Sequence, residues 1–178
     1  NTDLRWENIY REYLQLQRLY ESIRRSPSVF DVVQPTDYSS YISTYQEEAG
    51  NARYERGLEL LDQNSKASSR EAYFEFQKAL ALKPGDISIK QKIDEAYANA
   101  VTNVVIHPLT RYGYQYSNYN FDYNNFNYDM LRYLNNNNKS QFVRYYNQTG
   151  PGNQDVRIDN TVDMRFSDVN IGRYRDQR

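Results

Sequence analysis

The amino-acid sequence predicts a mainly α protein, an antiparallel helical array over residues 1–100 followed by a small α+β region over residues 101–178. Three observations predict it. Large apolar residues in the first part recur at intervals of three and four, the period of a helix face. Around Val101 that pattern gives way to a β-branched run, Val104-Val105-Ile106. Near the end of the chain, apolar and polar residues alternate, the period of a strand.

The first helix spans about Leu4 to Arg25. Trp6, Ile9, Tyr13, Leu16, Tyr20 and Ile23 follow one another at spacings of 3, 4, 3, 4 and 3, which puts six large side chains on one stripe. That stripe is expected to share a core with Phe76, Ala79 and Ile93. Ser26-Pro27 ends the helix, and Ser26 to Asp37 reads as a connector whose patch Val29-Phe30, Val32-Val33 lies across the helices. A second helix starts between Thr36 and Ser39, capped by one of them. It runs through Gly50 to about Gln63, with Tyr38, Tyr41, Tyr45, Ala49 and Ala52 inward. Ser68 with Glu71 three residues on forms a capping box for a third helix, which buries Ala72, Tyr73, Phe76, Ala79 and Leu80 and stops at Lys83-Pro84-Gly85. Asp86 caps a fourth, with Ile89, Ile93, Ala96, Tyr97 and Ala100 inward.

In the second part, Val104 to His107 reads as a short strand, expected to pair with the strand carrying Val162, Met164 and Phe166. A short helix is expected near Asn125 to Leu134, broken by Asn135 to Asn138. Phe142, Val143, Tyr145 and Tyr146 read as a further helical turn or two. Thr149 to Asn153 is a turn, and Val156 to Tyr174 is one long strand, or two with a bulge near Asp168.

Composition narrows the function. The chain has 178 residues, 22 basic and 23 acidic, for a net charge of −1, so no basic field draws in nucleic acid. There is no cysteine and one histidine, His107, which excludes disulfides and thiolate metal sites and leaves no catalytic residue, cofactor site or metal site predicted. The seven glycines form no phosphate-binding loop. Glu47-Glu48, Asp94-Glu95 and the set Asp159, Asp163, Asp168 are the available carboxylates. The last set lies beside Arg157, Arg165 and Arg173 and reads as a salt-bridged, solvated sheet face. Asn138-Lys-Ser140 and Asn147-Gln-Thr149 are glycosylation sequons that carry little weight in so Asn-rich a chain.

The surplus lies in the aromatics: 19 Tyr, 7 Phe and one Trp. Tyr112, Tyr114, Tyr116, Tyr119 and Tyr123 stand in an Asn-rich tract, and exposed tyrosines offer large contact area at low entropic cost. They are the candidate partner-binding residues, for a protein or, alternatively, for a glycan or cell wall. No apolar run is long enough to span a membrane. The chain begins Asn1-Thr2-Asp3, without Met, as a processed or trimmed product would, and whether more chain follows Arg178, just after a strand, stays open. Export to the periplasm or outer membrane, with a lipid anchor upstream of Asn1, is the expected localisation, with the cytoplasm as alternative.

Ala72, Phe76, Ala79 and Pro84, preceded by Tyr54-Glu-Arg-Gly57-Leu58, resemble a tetratricopeptide repeat, with Gly57 as the small residue of its first helix. The likeness covers about residues 53–100, and the loop between Gly57 and Ala72 is about three residues longer than in the family. It implies a helical scaffold that binds protein partners; that the chain is not an enzyme is expected separately, from the absence of a convergent acid, base or nucleophile set. Asn103 to Pro108, with the helix, Phe142-Val-Arg-Tyr and strand that follow, resembles the α/β domain of cell-envelope lipoproteins that activate penicillin-binding proteins or build curli secretion channels. The Tyr/Asn-rich style is similar to that of exported Bacteroidetes proteins.

Overall fold

A computed structural model describes residues 3–109, 123–147 and 156–164. The described chain is mainly α, with six helices and a small parallel sheet. It divides into two compact units, Asn1–Ala100 and Val101–Arg178.

The first unit holds five helices: α1 (Asp3–Arg24), α2 (Pro27–Val33), α3 (Ser39–Asp62), α4 (Lys66–Leu82) and α5 (Ile87–Ala100). α3, α4 and α5 form the core. Leu60, Ala72, Phe76, Ala79, Ile89 and Ala96 are buried together there, with Tyr54, Leu58, Leu61, Tyr73, Leu80 and Ile93 packed around them. Two glycines of α3 make the close approach to α4. A Cβ on Gly57 would stand 2.4 Å from Cε1 of Phe76, and one on Gly50 would stand 2.6 Å from Cγ of Lys83. The ring and the lysine stem thus occupy space that any larger residue would fill. Lys83 Nζ then reaches Asn51 Oδ1 at 2.8 Å, and Gln46 Nε2 donates to the Leu82 carbonyl at 2.7 Å, closing the end of the α3–α4 pair.

Four sequence expectations need correction here. The α1 stripe does not enter the core. Trp6, Ile9 and Tyr13 are half-buried and Leu16 is exposed, because α1 lies on the first half of α3 rather than over Phe76. Its contact there is aromatic, ring on ring. The segment after Ser26 is no irregular connector: Pro27 sits in the first turn of α2, where its missing N–H costs nothing. Phe30 meets Tyr20 edge-on at 6.4 Å, while Val29, Val32 and Val33 face water. α3 begins after Tyr38, with no side-chain cap from that residue; Asp37 Oδ1 instead accepts from the Ser39 amide at 2.9 Å. The capping box of α4 belongs to Ser65 and Ser68, three residues ahead of the predicted start, and Ser65 Oγ accepts from the Ser68 amide at 3.1 Å. Asp86 does cap α5, its Oδ1 accepting from the Ser88 amide at 2.9 Å and the Ile89 amide at 3.3 Å.

The second unit has β1 (Thr102–His107) at the centre of a three-stranded parallel sheet, flanked by β2 (Val143–Asn147) and β3 (Asn160–Asp163), with α6 (Tyr123–Asn136) against β2. The predicted pairing is present, with Ile106 opposite Val162 and His107 opposite Asp163; Phe166 lies outside the described residues. Val104, Val105 and Ile106 are all buried, so both faces of β1 are out of water, as for the central strand of a parallel sheet. The residues from Val143 to Tyr146, expected to be helical, are strand. Val143 pairs with Thr102 and Tyr145 with Val104, and β-branched and aromatic side chains suit that pleated position better than a helix.

Candidate interaction surface

Five tyrosines, Tyr112, Tyr114, Tyr116, Tyr119 and Tyr123, were the sequence candidates for partner binding. The first four lie outside the described residues. Tyr123 opens α6, but its side chain is not among those described.

The tyrosines that are described form a different feature, a ladder between α1 and α3. Tyr13 lies nearly parallel to Tyr41 (5.2 Å, 5°) and to Tyr45 (5.1 Å, 9°), and Trp6 stacks on Tyr45 at 6.0 Å. Tyr38 closes the far end at 5.8 Å from Tyr13, and the Arg5 guanidinium lies 5.2 Å from the Trp6 ring centre. Offset stacking of this kind adds about 0.5–1.5 kcal/mol per pair beyond burial. Partial burial, and then the neighbouring Tyr45, Tyr41 and Tyr38 groups, push the Tyr13 phenol above its ordinary value.

Beside the ladder, Arg53 of α3 is buried among carboxylates. It bonds Glu7 of α1 and, at 2.7 Å, Glu75 of α4, which also takes Lys78 at 2.7 Å. Hydrogen bonding to Glu7 first, and then to Glu75, raises the Arg53 guanidinium against the opposing pull of burial. Burial alone would raise Glu75; the hydrogen bonds from Lys78 and Arg53 together hold it below its ordinary value. One cation thus ties three helices into one register.

An open groove of about 640 Å³ runs between α4 and α5, lined by Gln77, Leu80, Ala81, Lys90, Ile93 and Asp94. Elsewhere on the same two helices the Tyr73 and Tyr97 ring centres are 5.8 Å apart, and Phe74 is exposed. A smaller cleft of about 350 Å³ lies along α1, at Leu14, Gln17, Arg18, Glu21, Ser22 and Arg25.

In the second unit, His107 and Asp163 end neighbouring parallel strands, and the imidazole Nδ1 meets the Asp163 carboxylate. Asp159 Oδ2 accepts from the Asn103 amide at 2.8 Å, and its own amide donates to the Asn103 carbonyl at 3.0 Å. Asp159 thus ties the start of β3 to the backbone of β1, while Asp163, itself exposed, pairs with His107 at the other end. Asp168 lies outside the described residues. Glu47, Glu48, Asp94 and Glu95 are exposed on α3 and α5, and Glu95 pairs with Lys92 at 2.7 Å. Among the described residues, no group of three or more His, Cys, Asp or Glu side chains is placed to hold a metal ion.

The asparagines have a role that the sequence hid. Asn127 is buried and bonds both the amide (3.0 Å) and the carbonyl (3.4 Å) of Leu109. Asn135 bonds both the amide and the carbonyl of Tyr145 at 3.0 Å, acting as one rung of a strand against β2. Asn138 accepts from the Ser140 amide at 3.0 Å and donates to the Val143 carbonyl at 2.7 Å, so the amide of that sequon is committed to the turn before β2. Among the described residues, no helix is long and apolar enough to cross a membrane.

Comparison with protein-family models, with curated proteins and with solved structures finds no match to this chain.

Proposed function

We propose that the chain is a scaffold that works by holding another protein, with the helical unit supplying the contact surface. One observation carries this reading: the helical unit leaves large aliphatic side chains in water while its core lies elsewhere. On α1 and α2, Leu16, Leu19, Val29, Val32 and Val33 are all exposed, Leu19 by 58% and Val32 by 83%. Single exposed apolar residues are ordinary, but five on two adjoining helices is the pattern of a contact surface. The resemblance of residues 53–100 to a tetratricopeptide repeat points the same way, and the α3–α4 hairpin, closed by Phe76 on Gly57, is compatible with it.

The test is the size of the native particle. The full chain, tagged and expressed in its source cell, is expected to migrate as a complex larger than itself and to contain a second protein in fixed proportion. Replacing Leu19 and Val32 by Asp, both well exposed, is expected to reduce that complex at least tenfold without lowering the melting temperature. A chain that migrates alone, or that is retained by a glycan panel with no protein present, contradicts the reading. Converting Tyr112, Tyr116 and Tyr119 to Ser asks separately whether the tyrosine tract contributes; loss of binding with an unchanged melting temperature assigns it a share of the surface.

A further inference from the structure

We infer that Asn135 and Asn138 lock the outer edge of β2, and that this lock keeps the strand of a second copy of the chain from adding to the sheet there. The inference concerns the second unit and stands apart from what the helical unit holds.

β2 ends the described sheet on one side, since the strand order is β2-β1-β3. An end strand turns a row of backbone donors and acceptors outward, and such a row is a template for another strand. The register tells which groups those are. The Thr102 amide donates to the Phe142 carbonyl at 2.7 Å, and Thr102 lies opposite Val143. Bonding alternates along a parallel pair, so Phe142, Arg144 and Tyr146 direct their backbone groups to β1, while Val143 and Tyr145 direct theirs away.

All four outward groups of Val143 and Tyr145 are bonded, and none of them to a strand. The Val143 amide donates to the Ser140 carbonyl at 3.3 Å, and the Val143 carbonyl accepts from Asn138 Nδ2 at 2.7 Å. The Tyr145 amide donates to Asn135 Oδ1, and the Tyr145 carbonyl accepts from Asn135 Nδ2, each at 3.0 Å. Asparagine suits the task because its carboxamide carries an acceptor and a donor side by side, as a peptide unit does.

The lock is held in place by its neighbours. Asn137 Nδ2 donates to the Tyr133 carbonyl at 2.9 Å, finishing α6, and Asn138 Oδ1 accepts from the Ser140 amide at 3.0 Å. The Asn135 rung lies in water, where an amide bond taken alone is weak. It prevails because Asn135 belongs to the same chain, ten residues from Tyr145, and meets the strand without the entropic cost that a second copy must bear.

The experiment compares the purified full chain with Asn135→Ala and with Asn138→Ala, by sedimentation over a range of concentrations and by residue-resolved amide hydrogen exchange. The amide of Val104, buried in β1, reports whether the sheet is intact. At low concentration the Tyr145 amide of Asn135→Ala is expected to exchange at least tenfold faster than in the parent, with Val104 unchanged. At high concentration this variant is expected to self-associate at least tenfold more tightly than the parent, and protection is expected to return at Tyr145. Asn138→Ala frees only the Val143 carbonyl. It is expected to self-associate more tightly than the parent as well, and it keeps the test open should Asn135→Ala lose protection at Val104. Self-association no tighter than the parent's in either variant overturns the inference, as does a Tyr145 amide that keeps the parent's exchange rate in Asn135→Ala. Association that protects residues away from β2 overturns it too. So does loss of Val104 protection in both variants, because the two side chains then hold the fold rather than the edge.

Discussion

Gly57 and Phe76 share one space. Alanine is the better helix former by about 1 kcal/mol, but a Cβ at position 57 enters the Phe76 ring, and overpacking of a closed core costs about 1–3 kcal/mol. Gly57→Ala is therefore expected to destabilise the parent. Phe76→Ala is expected to cost about 3–5 kcal/mol. In the Phe76→Ala background, Gly57→Ala is expected to change sign and stabilise, because the obstruction has gone. Equilibrium denaturation of the four chains checks this; additive effects contradict it. Glu75 gives a second test at the same scale. Its carboxyl is held below the ordinary value of 4.5, so its contribution is complete above that pH and is lost as pH falls through the lower folded value. Glu75→Gln is expected to flatten the acid limb of the stability profile below about pH 4.5, with little change of slope near neutrality. An acid limb parallel to the parent's contradicts the Arg53 network. Phe76 and Ala79 were legible because they keep a helical period with Ala72, and Gly57 because a small residue on a helix face marks a close approach. Arg53 was not, since nothing local distinguishes an arginine buried between Glu7 and Glu75, distant in sequence, from one in water.

At the scale of elements, helices of the first unit were readable wherever apolar residues kept a period of three and four. Errors came at ends and in short segments. The start of α4 shows why: both Ser65 and Ser68 have the chemistry of a cap, and Ser68-Ser-Arg-Glu71 has the more familiar spacing. The serines bond each other instead, Ser65 Oγ to Ser68 Oγ at 2.9 Å. Ser65→Ala is expected to cost about 1 kcal/mol, whereas Glu71→Ala, on an exposed side chain, is expected to stay within about 0.5 kcal/mol. Thermal denaturation checks both, and the reverse order contradicts the assignment. The second unit was harder to read. β2 is five residues long and follows Phe142 with aromatic and β-branched residues, a run too short to show a period. What fixes it as a strand is non-local: parallel pairing with β1, and the side chain of Asn135 occupying a rung on its other side.

For the whole molecule, the change of pattern at Val101 was visible in sequence, and the chain divides into two compact units between Ala100 and Val101. The surface assigned to function was less visible. Exposure on α1 and α2 follows from where α1 docks, and α1 docks through a tyrosine ladder whose residues looked like ordinary core positions. The central claim is that the helical unit holds a protein partner. Its most direct measurement is equilibrium binding between the full chain and the partner recovered with it, each purified, beside the full chain carrying Leu19→Asp with Val32→Asp. The account predicts saturable binding to the parent, at least tenfold weaker binding to the variant, and equal melting temperatures. Binding that is undiminished by Leu19→Asp with Val32→Asp, or no binding between the purified proteins, contradicts it.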